Sequence, residues 1–554
     1  MRLLSYTTRR RSVVSSYYGE FTAIEHIMMC SIHGIFRSEA LPNIVSPYCT
    51  YANDIMIDSA MKRFIDGRSC SEISLESGTG ISERQARNLS NMALDIFVTK
   101  HQESSSILRD SMKSYVLQID GTTDSEFSMI VAVRDALSGF TLYARKCYSE
   151  SIESIRDILQ DVKDRFGIPS GMTSDMRAGI LSAAMEVFPA VPIRICLMHF
   201  LRALGKDIME DIYTDIGRSI NSVGIRSPLK EILRSMPDYD QRTLYEIEKR
   251  YCNDLESMEV MAVRRELEKI LHSTERSGYG FPFSLRNLDF FIACTEADKN
   301  IADLSSKVTA SKSSALISTI RKETGKIASN TSLIEKARNL SGVNALIFQK
   351  IRDAFRIPDK GSLSDDETAI DDLIIHENCD ITIGEMEVYL HANIPPHLFT
   401  AAKKAIERYR ERESLLFANN PEHTIPRTNN GMERFFRKVR RNVRKRCGNI
   451  ATGNILTHSG ESLALFQNMS NPEYVKIVFG SEDMPALFAR YRKPFKKLGM
   501  TRKKTLELVD AGTKMILEGS LQDSPYSENM MDTAYVSRNI TSVKIKDHSD
   551  GLLP

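Results

Sequence analysis

The chain has 554 residues, too many for one hydrophobic core and enough for three or four domains. With 42% hydrophobic and 26% charged residues it reads as globular. No apolar run reaches the roughly 18 residues of a membrane helix, and no signal-peptide pattern opens the chain, so a place inside the cell is expected. Nine scattered cysteines fit free thiols in a reducing compartment, and the net charge of +2 conceals basic clusters at Arg434 to Arg446 and Arg490 to Lys504.

In chain order, residues 1–50 form a small N-terminal segment with a basic cluster, Arg9, Arg10 and Arg11. Cys30 and His33, with His26 and Cys49 nearby, read as ordinary residues of a packed segment; the alternative is a degenerate zinc module of loose ligand spacing. Residues 51–105 predict three helices. Ile57, Ala60, Met61, Phe64 and Ile65 mark the first, ended by Gly67. Ser69 to Ser77 makes the second, Gly78-Thr79-Gly80 a tight turn, and Ser82 with Gln85 a capping box opening the third. Ala86, Leu89, Ala93, Ile96 and Phe97 would be its buried side. Arg84, Gln85, Arg87 and Asn88 are then left where the recognition helix of a helix-turn-helix meets base edges, unless this is a plain three-helix module.

Residues 112–205 predict alternating strands and helices. Tyr115 to Ile119 is a short buried strand ending in Asp120. Glu126 to Ala136 and Phe140 to Tyr148 complete an antiparallel meander. Ile152, Ile155, Leu159, Val162 and Phe166 give a helix stopped by Gly167 and Pro169, and Gly171 to Ser174 delivers Asp175. Ala178 to Val187 is a second helix and Ile193 to Leu197 a further strand, so the order is βββαβαβ. In the block Arg194-Ile-Cys196-Leu-Met-His199-Phe-Leu-Arg202, Cys196 and His199 are too few for a structural zinc site and read as a buried thiol and a satisfied imidazole.

More than 220 residues separate His199 from Glu433, too many for a structureless connection, so residues 206–425 are expected to form an all-α domain. Its apolar spacing includes Leu229, Ile232 and Leu233; Leu267, Ile270 and Leu271; Leu316, Ile317 and Ile320; and Ala345, Phe348 and Ile351. The acidic run Ser364 to Asp372 reads as an exposed loop without chemistry.

Residues 426–480 open with Thr428-Asn-Asn-Gly-Met-Glu433-Arg-Phe-Phe-Arg437. Met432, Phe436, Val439 and Val443 form a buried stripe; Glu433, Arg437, Arg440 or Arg441, and Arg444 form another. Eight basic residues lie between Arg434 and Arg446, more than one i,i+4 pair to Glu433 would explain; with Lys445 among them they suit DNA phosphates. A simpler reading makes Glu433 the third residue of a capping box opened by Asn430, just as Asp120-Gly121 is a common turn dipeptide. Residues 481–554 are a basic extension and flexible tail, in which Tyr491 and Phe495 either stack on bases or pack in a core.

Taken together, Asp120, Asp175 and Glu433 in this βββαβαβ…α order resemble the carboxylates of DDE transposases of the prokaryotic insertion-sequence or Mutator-like type. Those enzymes have a ribonuclease H-like core, a mixed five-stranded sheet, interrupted by a large all-α insertion. The C-x-x-H block and the Asn-then-Glu block carry the likeness, although a glutamine often precedes that Cys where Arg194 and Ile195 stand here. Leu41 to Tyr48 also resembles the lead-in to the helix-turn-helix of some such proteins. The resemblance implies two Mg²⁺ or Mn²⁺ ions, no zinc, with Asp120 shared and Asp175 and Glu433 holding one each; Cys196, His199 and Asn430 would support the site. It implies cleavage and strand transfer on double-stranded DNA at element ends and target, a homodimer or larger assembly, no membrane, and a cytoplasmic, nucleoid-associated place in a prokaryotic cell. The alternatives are a transposase-derived regulator that binds without cutting and a ribonuclease H-like nuclease.

Overall fold

The computed structural model describes residues 4–38, 40–46, 49–123, 129–147, 151–238, 255–275, 279–357, 372–420, 424–448 and 453–492, with a few single positions beyond. Residues Met1–Ala489 form one compact unit and Arg490–Pro554 a second. The acidic positions 364–371, the basic positions 493–504 and the tail from Ser520 lie outside the described residues, Phe495 among them.

The first unit is built on a five-stranded mixed sheet of order β6-β5-β4-β7-β8. Its strands are β4 (Val116–Thr123), β5 (Met129–Asp135), β6 (Thr141–Cys147), β7 (Gly171–Ser174) and β8 (Ile193–Ile195). The central strand carries the apolar run, and Val116, Leu117 and Ile119 are wholly buried. It pairs antiparallel with β5 and parallel with β7, and β7 pairs parallel with β8. The parallel steps need crossovers. These are α6 (Ile152–Phe166), started by a Ser151 cap, and α7 (Ala178–Val187), which pack on each other. β5 ends at Asp135, β6 begins at Thr141 and β8 ends at Ile195, each inside the expected bounds there, while β4 runs three residues past Asp120.

The first fifty residues, barely legible in sequence, make a three-stranded antiparallel sheet of β1 (Leu4–Ser15), β2 (Gly19–Cys30) and β3 (Gly34–Phe36). Most side chains of β1 are exposed, so no apolar alternation announced it. In this sheet Cys30 Sγ lies 3.4 Å from His33 Nδ1, while His26 pairs with Thr8. A short helix α1 (Ala40–Ile44) follows.

The predicted helix trio appears as α2 (Asn53–Ala60), α3 (Cys70–Glu76) and α4 (Glu83–Glu103). Both capping boxes form, Ser69 with Glu72 and Ser82 with Gln85, and the five residues expected on the inner side of α4 are buried. The trio is fastened to the core. A wide turn at Met61–Ile65 extends α2, and its orphan carbonyls accept from distant side chains: Asn442 Nδ2 reaches Phe64 and Ile65, Gln467 Nε2 reaches Phe64, and Lys445 Nζ reaches Asp66. After α5 (Ser105–Met112) the chain enters β4.

The described part of 197–416 is helical. It runs through α8 (Leu197–Val223), α9 (Arg226–Ser235), α10 (Leu255–His272), α11 (Arg286–Ser305), α12 (Ser311–Ala328), α13 (Thr331–Val343), α14 (Gln349–Ala354), α15 (Asp372–Leu390) and α16 (Pro396–Leu416). None of the described helices is long and apolar enough to cross a membrane. The chain then returns as α17 (Asn430–Cys447), α18 (Gly453–Phe466) and α19 (Pro472–Phe479). Gly460 of α18 sits so close to β5 that a Cβ would lie 1.8 Å from Ile130 Cδ1. Asn471 caps α19, its side chain accepting from the Glu473 and Tyr474 N–H groups.

His101, at the end of α4, is buried against Leu142 O (3.0 Å) and the Tyr474 hydroxyl (2.6 Å). The carbonyl can only accept, so Nε2 carries the proton and Nδ1 accepts from tyrosine. Burial drives its pKa from 6.5 down to about 4. Below pH 6.5 the unfolded chain therefore takes up a proton that the folded chain refuses. Stability is expected to fall by about 3 kcal/mol as pH drops from 6.5 to about 4 through this group alone. Urea titrations across that range should show His101→Gln flattening this part of the curve.

Candidate active site

In the β4–β7 ladder Val116 lies opposite Gly171 and Gln118 opposite Thr173. The same offset, carried one pleat further, sets Asp120 opposite Asp175. Parallel neighbours in register point to the same face, about 4.8 Å apart along the ladder. Asp120 is therefore a mid-strand residue standing just beyond the last bond to β7, and Asp175 is the first residue after β7. Both are buried, at 9% and 3% exposure.

Glu433 arrives on α17 from the far side of the helical insertion. The returning chain is guided by Thr173 Oγ1 donating to Pro426 O (2.9 Å) and Leu197 N donating to Arg427 O (2.9 Å). Asn429 then fixes the helix start: its N–H donates to Cys196 Sγ (3.2 Å) and its Nδ2 to Ile119 O (3.2 Å), beside Asp120. Further along α17, Arg440 Nη2 donates to Thr122 Oγ1. The helix is thus tied to β4 on both sides of Asp120. The capping-box reading of Glu433 fails, because the helix begins at Asn430 after Asn429 and no side chain caps it.

Electrostatics bind the three acids into one neighbourhood. Burial above all, then the charge of Asp175 and to a lesser degree that of Glu433, raise the Asp120 carboxyl to about 7 against the opposing pull of the Gly121 N–H and Arg177. Burial also raises Asp175, which accepts from the Arg177 backbone N–H (3.1 Å) and pairs with Arg177 Nε (2.9 Å). Buried carboxylates that repel one another, with few donors around them, are hard oxygen ligands suited to a divalent cation. The acids are not drawn into one tight cluster, however. Among the described residues, the trio of metal-capable side chains whose ligand atoms lie within 4.8 Å of one another is His376, Asp380 and Glu413, in the insertion. That trio is a possible metal site for no particular ion, and Arg410 already donates to both its carboxylates (3.2 and 3.1 Å).

The supporting residues divide. Cys196 precedes α8, wholly buried, its thiol pushed up to about 11 by burial, so it serves as an acceptor for Asn429. His199, one turn into α8, was expected to be satisfied and is not: its buried Nδ1 has no hydrogen-bond partner. Burial, then Arg202, lowers its pKa, which keeps it neutral. Asn430, expected beside the acids, lines a cavity on another flank of α17; Asn429 does the holding. Adjacent asparagines gave the sequence no means of choosing between them.

Of the expected DNA-facing side chains, Arg84, Gln85 and Arg87 are exposed and Asn88 half-buried at the start of α4, though Gln85 is engaged in its capping box. On α17 the stripe Met432, Phe436, Val439 and Val443 is buried as predicted. The basic face is narrower than eight cations. Arg440 turns in to Thr122, Lys445 to Asp66, Lys438 to Ser470, and Arg446 lies over the Phe64 ring. Arg434, Arg437, Arg441 and Arg444 remain exposed, the last three at i, i+4 and i+7.

Arg194, which stands where a different residue often precedes the Cys, is among the largest wholly buried side chains of the described residues. It makes a two-bond ion pair with Asp372 (2.7 and 2.9 Å) and donates to Ile425 O (3.1 Å). Asp372, assigned by sequence to an exposed acidic loop, instead opens α15 and anchors the insertion to β8. Neither a scan of protein-family models nor a search of curated proteins finds a match to the chain. Removing one partner of a buried pair strands the other's charge. Asp372→Ala is expected to cost about 3 kcal/mol in urea denaturation, whereas Arg194→Met with Asp372→Leu should recover most of that loss.

Proposed function

We propose that this protein is a DDE transposase with a ribonuclease H-like core, cutting and joining DNA through Asp120, Asp175 and Glu433. The observation that carries the proposal is the β4–β7 register that aligns Asp120 with Asp175, with α17 tied to β4 on either side of Asp120. Two Mg²⁺ or Mn²⁺ ions held there would activate the attacking water or 3′-hydroxyl and stabilise the leaving oxygen.

The chain's own residues supply the rest. Asp120, flanked by the other two, would be held in common by both ions, and Arg177 holds the Asp175 carboxylate in one orientation. His199, its pKa lowered by burial and its buried Nδ1 unbonded, stands within electrostatic reach of Glu433 as a positioning neighbour. Arg437, Arg441 and Arg444 track a phosphate backbone past the acids, and the start of α4 presents Arg84, Arg87 and Asn88 to bases. The DNA would be the element's own ends and a target, engaged by two or more copies of the chain.

The test is Mn²⁺- or Mg²⁺-dependent cleavage and strand transfer on DNA carrying those ends. Asp120→Ala, Asp175→Ala and Glu433→Gln should each lower both rates by about a thousandfold, about 4 kcal/mol of barrier, with DNA binding kept. Binding without cutting by the wild type would make the protein a regulator, and cutting without joining would make it a nuclease. Replacing Arg437, Arg441 and Arg444 by alanine should flatten the dependence of log affinity on log salt by about 0.9 per arginine. An unchanged slope would remove this face from the DNA path.

A further inference from the structure

On the flank of α17 away from Glu433 lies a cavity of about 810 Å³, of a size that holds small organic ligands. Its lining includes Gln118 of β4, Arg134 of β5, and Gly431, Arg434 and Lys438 along one side of α17, with Arg427 at the rim. Gln118 and Asp120 are two residues apart on one strand, so they share a face of the sheet, and α17 stands between their surroundings.

Two independent features mark the cavity as built for a ligand. The first is charge. Four cations line it against one acid, Asp135, whose oxygens are already taken by the N–H groups of Val116, Leu137 and Ser138 and by the Ser138 hydroxyl. The positive end of the α17 dipole adds to that field. The second is Gln118. It is 95% buried, at 5% exposure, it lines the cavity, and among the described residues no hydrogen bond is made by its amide. Gly431 keeps the space above it open, since a Cβ there would lie 3.2 Å from Gln118 Oε1. Arg134 shows the same under-use: it is held by Gly431 O and Gly139 O and stacked 4.7 Å over Phe435, yet its buried Nε has no partner.

We infer that this cavity binds a nucleoside phosphate, its phosphate held by Arg134, Arg434 and Lys438 and its base edge by the Gln118 amide. An amide with one donor and one acceptor side by side matches the N6/N7 edge of adenine, and the arginines and lysine match the phosphate. The site requires neither the three acids nor a metal, so it stands or falls apart from the transposase reading. Its ligand is either a free nucleotide or a nucleotide turned out of a DNA strand.

Calorimetric titration of the full chain with dAMP, in EDTA so that no divalent ion contributes, is the experiment. One-to-one binding, at least tenfold weaker in Gln118→Leu and in Lys438→Gln, supports the site with a free nucleotide as its source. If dAMP fails but a duplex with one unpaired adenosine binds tighter than the fully paired duplex, and Gln118→Leu removes that gain, the source is the strand. Lys438 is only half-buried, so its variant tests the cavity even if Gln118→Leu unfolds. The inference is overturned if neither probe binds, if Lys438→Gln leaves binding unchanged, or if inorganic phosphate binds as tightly as dAMP.

Discussion

The arrangement of the first unit depends on Asn429. One residue, through its backbone N–H and its side-chain amide, joins Cys196 and Ile119, positions that lie more than two hundred residues before it in the chain. Each bond is buried, so breaking either one strands a polar group away from water. These bonds fix the start of α17 against β4, as Arg440 at Thr122 fixes it further along. One turn of slippage would carry Glu433 about 5.4 Å along its axis, out of register with two aspartates whose own positions are fixed by strand pairing.

The insertion is carried by a different kind of contact. Arg194, from the short edge strand β8, reaches both the first residue of α15 and the chain just before α17. One guanidinium therefore holds the start of α15 and the exit of the helical region to the same strand. Bidentate geometry makes arginine suited to such a joint, since a lysine could not satisfy a carboxylate and a carbonyl in fixed directions at once.

Periodicity and capping made much of this readable. The capping boxes at Ser69 and Ser82, the apolar run before Asp120 and the buried stripe of α17 are local signals, and the corresponding elements form where they indicate. What sequence left hidden is non-local. The exposed hairpin of β1 and β2 has no apolar alternation to reveal it, and nothing local marks Asp372 as the partner of Arg194 or Asn429 rather than Asn430 as the tie. The breadth of the basic face was overestimated for the same reason. Sequence counts cations, whereas the fold turns Arg440, Lys438, Lys445 and Arg446 toward partners on other elements.

The carbonyls at the end of α2 accept from Asn442 and Lys445 of α17, the helix that bears Glu433. Between α4 and Glu433 there is thus no flexible tether but a chain of packed helices. In a protein that reads DNA with one and cuts with the other, the interval between recognised and cut positions would be a dimension of the folded chain, as fixed as a ruler. The span would not vary from one encounter to the next, as it does when a binding module swings on a linker.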